Sequence, residues 1–393
     1  MTATIRTLEI GGDRFTMGWL LGRAVGHFMH THLAASGRWQ EVQEQRASDR
    51  VRAMEQAARR AFPHCVQEIE GLAAGADLPF DQVFAWHCHY ELRDRVNSPP
   101  PGSQGGSLPH SHKTSPPQAE EPERGPSTSP PQTGETEGEV AHECTTLIYP
   151  TKDSTLIAHN EDGMALYHGH CLWVEARPDE GQAYAGFHYP GLLCGNCFYV
   201  NAAGLVHATN HIADPPLAGG VPRQIVLRAV VDCASLSELT DLLRRTRRAS
   251  GCHHTAAQVG GGPALSIEAP AAGVSVQRLA APYAHSNHLV HPSLAATGQP
   301  ASASSQARLD RARALLAQVA EPVGVADLRA ILADQENTDL PIYMERVSSL
   351  DDTRTVATAT FEVSRAGVQW AVHGSPRGPA LLHVGAGASP APT

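Results

Sequence analysis

The sequence predicts an α+β protein, and three observations carry that prediction. Ahead of residue 96, apolar residues recur at helical spacing, as in Phe15, Gly18, Leu21, Gly22 and Val25. Beyond residue 144 they fall instead into short runs rich in aromatic and β-branched residues, bounded by turn residues. Between the two lies a stretch, residues 96–140, dominated by Pro, Ser, Gly, Thr, Gln and Glu. Such a composition cannot bury enough apolar area to offset its chain entropy, so it reads as a disordered linker.

Charge and composition narrow the partners. The 30 basic against 40 acidic residues give a net charge of −10, which argues against nucleic acid or an anionic membrane surface and mildly favours a cationic small molecule. No apolar run reaches the ~18 residues a membrane span needs. The first residues lack an apolar signal core, so the expected setting is the cytoplasm. Eight cysteines in 393 residues are no disulfide framework. No cofactor is expected.

In order, residues 4–10 read as a strand. A helix follows, with Gly18 and Gly22 four apart on one face, where small residues permit a close approach. Residues 37–62 read as one charged helix, 63–76 as a helix ending in glycines, and 79–92 as a second. Cys65 and Cys88 read as core thiols. His87 and His89, two apart on a helix, do not face one way, so no metal site is expected. Residues 172–176 and 183–187 read as strands, and Asn201 and Gly204 as the turn of a hairpin leading to Asn210. Cys194 and Cys197 form a lone pair without redox context. Residues 222–248 read as two helices, with Ser237 and Glu238 as caps and Arg244, Arg245, Arg247 and Arg248 as a solvated basic end. Strands follow at 250–259, carrying His253 and His254, and at 264–268. Ser304 or Ser305 is expected to cap the next helix, with Arg311 solvated. The last hairpin spans 355–363 and 367–374, and the tail from 376 reads as mobile.

The chain is organised around residues 143–162. Cys144 opens an apolar run (Leu147, Ile148, Tyr149), a polar turn follows at 150–153, and a second run (Leu156, Ile157, Ala158) leads to Asn160-Glu161-Asp162. Two short strands joined by a tight turn form a hairpin, which brings Asn160 and Asp162 back beside Cys144. The best base for that thiol is its own α-amine, which titrates near ~7.7–8.0 when free. A free amine requires a cut between Glu143 and Cys144.

These stretches resemble the penicillin acyltransferase family of N-terminal-nucleophile (Ntn) hydrolases. The resemblance rests on Cys144-Thr145-Thr146, and on Asp162 in an Asn-x-Asp pattern eighteen residues beyond the cysteine. It rests also on Pro63, Glu68, Gly71, Ala73, Gly75 and Ala76, on Asn201 with Gly204, and on His285-Ser286-Asn287-His288, with Asn287 143 residues after Cys144. It implies an αββα sandwich of two antiparallel sheets flanked by helices. That single domain would consist of two chains, 1–143 and 144–393, after self-cleavage. It further implies Cys144 as nucleophile, Asp162 as the residue holding its α-amine, and Asn287 as oxyanion donor. Asn160, Glu161, Asn210, His254 and Arg308 would line or organise the substrate pocket.

The chain departs from the family pattern in the long linker, in Glu143 where relatives carry Gly or Asp, in His87 near a usual Asn, and in Glu161 where many carry an aromatic residue. Glu161 resembles the subgroup that hydrolyses β-alanyl conjugates of biogenic amines, so the expected substrate is a small N-acyl amide or amine conjugate. Two alternatives stay open: acyl transfer from acyl-coenzyme A, and an uncleaved, catalytically silent binding homologue. Homo-oligomerisation stays open in every reading.

Overall fold

The structure, a computed structural model, describes residues 5–92, 144–212, 219–297, 299 and 301–384. The expected linker at 96–140 and Glu143 lie outside the described residues.

The N-terminal part contains β1 (Arg6–Gly12), α1 (Arg14–Phe28), α2 (Gly37–Glu44), α3 (Asp49–Ala61), α4 (Pro63–Ala76) and α5 (Phe80–His87). From Cys144 onward come β2 (Thr145–Pro150), β3 (Ser154–Met164), β4 (Leu172–Pro178), β5 (Tyr184–His188), β6 (Phe198–Asn201) and β7 (Leu205–His211). Then follow α6 (Arg223–Val230), α7 (Leu236–Arg245), β8 (Cys252–Gln258), β9 (Leu265–Ala269), β10 (Ser275–Arg278) and β11 (Tyr283–His285). The chain continues with α8 (Ala303–Leu316), α9 (Val325–Leu332), β12 (Thr353–Ser364), β13 (Gly367–His373) and β14 (Ala380–Val384).

The strands form two open sheets, one ordered β1-β4-β5-β6-β7-β8-β9-β10 and the other β11-β2-β3-β12-β13-β14. The sheets face each other. The rings of Trp173 on β4 and Trp370 on β13 meet tilted, 4.4 Å apart, and the Phe198 and Phe361 rings lie 6.1 Å apart. Each such aromatic contributes roughly 1.5–3 kcal/mol through removal from water. Helices α1 and α7 pack on the first sheet, α4 packs on α1 and α6, α6 packs on α7, and α8 and α9 lie on the second sheet. The result is the expected αββα sandwich. Among the described residues no helix is long and apolar enough to cross a membrane.

Helices α1 and α4 meet backbone to backbone, as the glycine spacing predicts. A Cβ on Gly18 would stand 2.0 Å from the Glu68 carbonyl oxygen, and one on Gly75 2.1 Å from that of Trp19. Asn201 makes the β6–β7 turn: its Nδ2 donates to the carbonyls of Val231 and Cys233, and its Oδ1 accepts from the amides of Ala203 and Leu205. Gly204 supplies the positive φ of +71° that this turn needs.

Several expectations are corrected. Strand β1 pairs in parallel with β4, so the first sheet is mixed at its edge. The charged segment 37–62 is two helices, because Ser48 caps a new start by accepting from Val51. Ser235, not Ser237, caps α7, and Ser302, not Ser304 or Ser305, caps α8. Arg248 is buried and donates to the carbonyls of Pro270 and Gly273, satisfying loop ends rather than facing solvent. Arg311, by contrast, keeps the solvent exposure expected of it, at 30%, and pairs with Asp334 at 2.7 Å. The tail after residue 376 adds strand β14 to the second sheet.

Candidate active site

The antiparallel register of β2 and β3 sets Thr145 opposite Asn160 and Thr146 opposite His159. Cys144, just ahead of β2, therefore stands at the level of Glu161, and its side chain is 3% exposed. Residues two apart on a strand share a face, so His159 and Glu161 project together. Ligand-type atoms of Cys144, His159 and Glu161 all lie within 4.8 Å of one another.

Two side chains hold the backbone of Cys144. Its amide donates to Asn287 Oδ1 at 2.9 Å, and the fully buried Arg308 donates to its carbonyl oxygen at 2.8 Å. Arg308 also donates to Thr145 Oγ1 at 2.9 Å and to Asn287 Oδ1 at 2.8 Å. Two donors converge on one end of the Asn287 amide, which makes that end the oxygen. Its Nδ2 is consequently turned to the carbonyl of His211, 3.1 Å away. Ser305 completes the mount, accepting from the Asn287 amide at 2.8 Å and contacting His288 Nδ1 at 2.7 Å.

The carboxylates differ in their surroundings. Glu161 Oε1 accepts from the Tyr189 hydroxyl at 3.0 Å, and Oε2 lies 3.1 Å from His159 Nε2. Asp162 Oδ1 accepts from the Thr355 hydroxyl at 2.5 Å. Burial first, and then the charges of Glu161 and Asp162, push the Cys144 thiol well above its usual range. A backbone hydrogen bond at Asp162 and the Arg308 charge pull it back. A small cavity of about 20 Å³ opens onto Cys144 and Glu161, walled by Trp86, Tyr90, Tyr189 and Arg223 among others.

Of the residues singled out in the sequence, Cys144, Glu161, Asp162, Asn287 and Arg308 come together. The other three are spent elsewhere. Asn160 donates to the carbonyl of Leu332 and accepts from the Thr358 hydroxyl at 2.7 Å. Asn210 accepts from Thr146 Oγ1 at 2.8 Å and from His253 Nδ1 at 3.2 Å, behind the centre. His254 pairs with His207 at 2.9 Å. His159, Tyr189 and Arg223 escaped the sequence reading. The i, i+2 spacing of His159 and Glu161 on a strand was the available signal for the first; nothing local marks the other two.

The chain has relatives among known proteins. Residues 150–377 match the family pattern of acyl-coenzyme A:6-aminopenicillanic acid acyl-transferase. The beta-alanyl-dopamine/carcinine hydrolase of Drosophila melanogaster is 23% identical over 256 residues, 61% of this chain; the match spans 57% of that relative's length. Among solved structures, a mutant of conjugated bile acid hydrolase from Clostridium perfringens aligns with a TM-score of 0.40 and 13% identity, covering 59% of this chain and 89% of that one. A second variant of the same hydrolase aligns with a TM-score of 0.40 and 14% identity, covering 58% and 88%. With more than half its length inside the family pattern, the chain belongs to the acyl-coenzyme A:6-aminopenicillanic acid acyl-transferase family.

Proposed function

We propose that this chain is a self-cleaving cysteine amidohydrolase that cuts itself between Glu143 and Cys144 and then hydrolyses a small N-acyl amide. The observation that carries the reading is the mount around Cys144. The nitrogen that a cut would free as an α-amine is already held 2.9 Å from Asn287 Oδ1, with the Cys144 carbonyl fixed by Arg308. Preorganisation of this kind lowers the barrier because the groups need not reorganise as charge develops.

In the cut, the Cys144 thiol attacks the carbonyl of Glu143, the acyl group shifts from nitrogen to sulfur, and water hydrolyses the thioester. The freed amine then takes the thiol proton as the sulfur attacks the substrate carbonyl, and returns it to the leaving amine. Asp162 holds that amine electrostatically. The Nδ2 group of Asn287 donates to the tetrahedral oxyanion. Water resolves the acyl-enzyme.

For the substrate, Glu161 is a carboxylate in an aromatic-walled cavity beside the nucleophile, a setting suited to an ammonium group. The Drosophila relative's name points the same way, to a β-alanyl-amine conjugate. All eight cysteines are free and buried, which suits a reducing, cytoplasmic setting. Acyl transfer from acyl-coenzyme A is the second reading, and the family pattern's own description, an acyl-coenzyme A-dependent acyl-transferase, favours it.

The test is trapping. The full chain is mixed with a panel of N-acyl amides, β-alanyl-dopamine included, and quenched in acid. Mass spectrometry should find the acyl group on Cys144, and none on Cys144→Ala. Release of amine with no adduct at Cys144 on the wild type would contradict the reading.

A further inference from the structure

We propose that Cys144, His159 and Glu161 form a binding site for a thiophilic divalent cation of the Zn²⁺ class, and that occupancy blocks the nucleophile. The block rests on the reading of Cys144 as nucleophile; the binding does not. Among the described residues these three are the group of His, Cys, Asp and Glu side chains whose ligand atoms converge, all within 4.8 Å of one another and all buried.

The hydrogen bonds around the three leave His159 Nε2 and Glu161 Oε2 facing each other. The Thr146 hydroxyl has a single proton and donates it to Asn210 Oδ1 at 2.8 Å. The orientation of Asn210 is set by its Nδ2, which donates to the carbonyl of His285. Thr146 Oγ1, 2.8 Å from His159 Nδ1, can therefore only accept from that nitrogen. Nδ1 carries the hydrogen, and in the neutral ring Nε2 carries a lone pair. On the other side, the Tyr189 hydroxyl occupies Glu161 Oε1 at 3.0 Å. That leaves Oε2, 3.1 Å from the same Nε2. An imidazole lone pair aimed at a carboxylate oxygen repels it unless a proton or a cation stands between them.

The donor set selects the cation. Thiolate, imidazole and carboxylate together suit Zn²⁺ and its neighbours, whereas Mg²⁺ and Ca²⁺ prefer all-oxygen shells. Each ligand is also oriented from behind, His159 by Thr146 and Glu161 by Tyr189, as metal ligands commonly are. Cys144 and Glu161 both line the cavity, which leaves a fourth position on that side for water. Binding breaks the Cys144 S–H bond, forms the sulfur–metal bond and releases the proton to solvent. The sulfur electron pair needed for attack is then held by the metal.

The test uses the full chain stripped by a chelator and dialysed, then titrated with Zn²⁺ and, separately, with Co²⁺. One equivalent of Zn²⁺ should bind, and the Co²⁺ form should develop the near-ultraviolet thiolate-to-cobalt absorption band. Cys144→Ala should abolish the band. Tyr189→Phe should weaken Zn²⁺ roughly 10–100-fold, and His159→Gln and Glu161→Gln at least as much; a circular-dichroism melt establishes that each variant is folded. Amide turnover should fall on adding one equivalent of Zn²⁺ and return with chelator. A folded wild-type chain without the cobalt band, or Zn²⁺ affinity unchanged in Cys144→Ala, would overturn the site. If the band appears but no amide is turned over under any condition, the site stands and the hydrolase reading fails.

Discussion

Two regions of this molecule bury charge, and they do so in opposite ways. Beneath the α1–α4 contact, Arg228 Nε donates to both oxygens of Glu68 at 3.0 and 2.9 Å, with neither side chain exposed. Arg14 bonds Asp232 at 2.9 Å alongside, so two guanidinium groups meet two carboxylates. At the head of β2, Glu161 and Asp162 stand beside a thiol and a cavity, while Arg308 bonds a backbone carbonyl, a threonine hydroxyl and an asparagine. The first cluster is balanced in charge and serves packing. The second concentrates carboxylates where a proton, an ammonium or a cation is wanted. Burial alone does not separate structure from function; what the buried charges face does.

The comparison breaks most visibly by removing one partner from the balanced cluster. Arg228→Met takes away the two-oxygen partner of the buried Glu68, and should cost about 3–5 kcal/mol of stability, read by denaturant unfolding, with turnover per folded molecule unchanged. Asn287→Ala probes the other cluster. It should lower the turnover rate constant on the order of 10²–10³-fold, about 3–4 kcal/mol, with substrate affinity nearly intact. Tenfold weaker binding at an unchanged rate would make Asn287 a pocket residue instead. Turnover is measured on the cleaved fraction, so that slow processing is not counted as slow chemistry.

Acid should act on the packing side. His87 donates from Nδ1 to the carbonyl of Val83 and accepts at Nε2 from the Leu193 amide, so its neutral ring is fully used. Burial drives it down to about 4, and drives His188 and His207 down to about 3. The unfolded chain takes up these protons near pH ~6.5 and the fold refuses them. The stability they contribute is therefore complete above that pH and is lost as pH falls toward 4 and then 3. His87 alone amounts to a loss on the order of 3 kcal/mol, seen as a falling melting temperature. The smallest effect concerns Asn160. Thr358→Val strips the donor from its Oδ1 and should cost ~1–3 kcal/mol of stability while sparing turnover, since that side chain bonds to the carbonyl of Leu332 at the end of α9 rather than to the cavity. Lost turnover at intact stability would return Asn160 to the pocket.

Much of this was legible in the sequence for identifiable reasons. Two short apolar runs and the polar turn between them located the β2–β3 hairpin, and that hairpin brings Glu161 and Asp162 to Cys144. Glycines four apart gave the α1–α4 contact because only a missing Cβ permits it. Pocket membership was not legible for Asn160, Asn210 and His254, because a polar residue near a strand end reads alike whether it faces a cavity or a neighbouring helix. The buried Arg228 and Arg248 escaped too. A run such as Arg244 to Arg248 reads as solvated, yet Arg248 satisfies distant carbonyls that come near only in the fold. Tyr189 and Arg223 reach the centre from other elements, and no local pattern carries that.

The central claim is that Cys144 becomes an amino-terminal nucleophile, and the mass of the purified full chain under denaturing conditions tests it most directly. The account predicts two chains, the smaller ending at residue 143 and the larger beginning with Cys144, and a single uncut chain for Cys144→Ala. A wild-type chain that stays whole under every condition, while folded and at neutral pH, would contradict it.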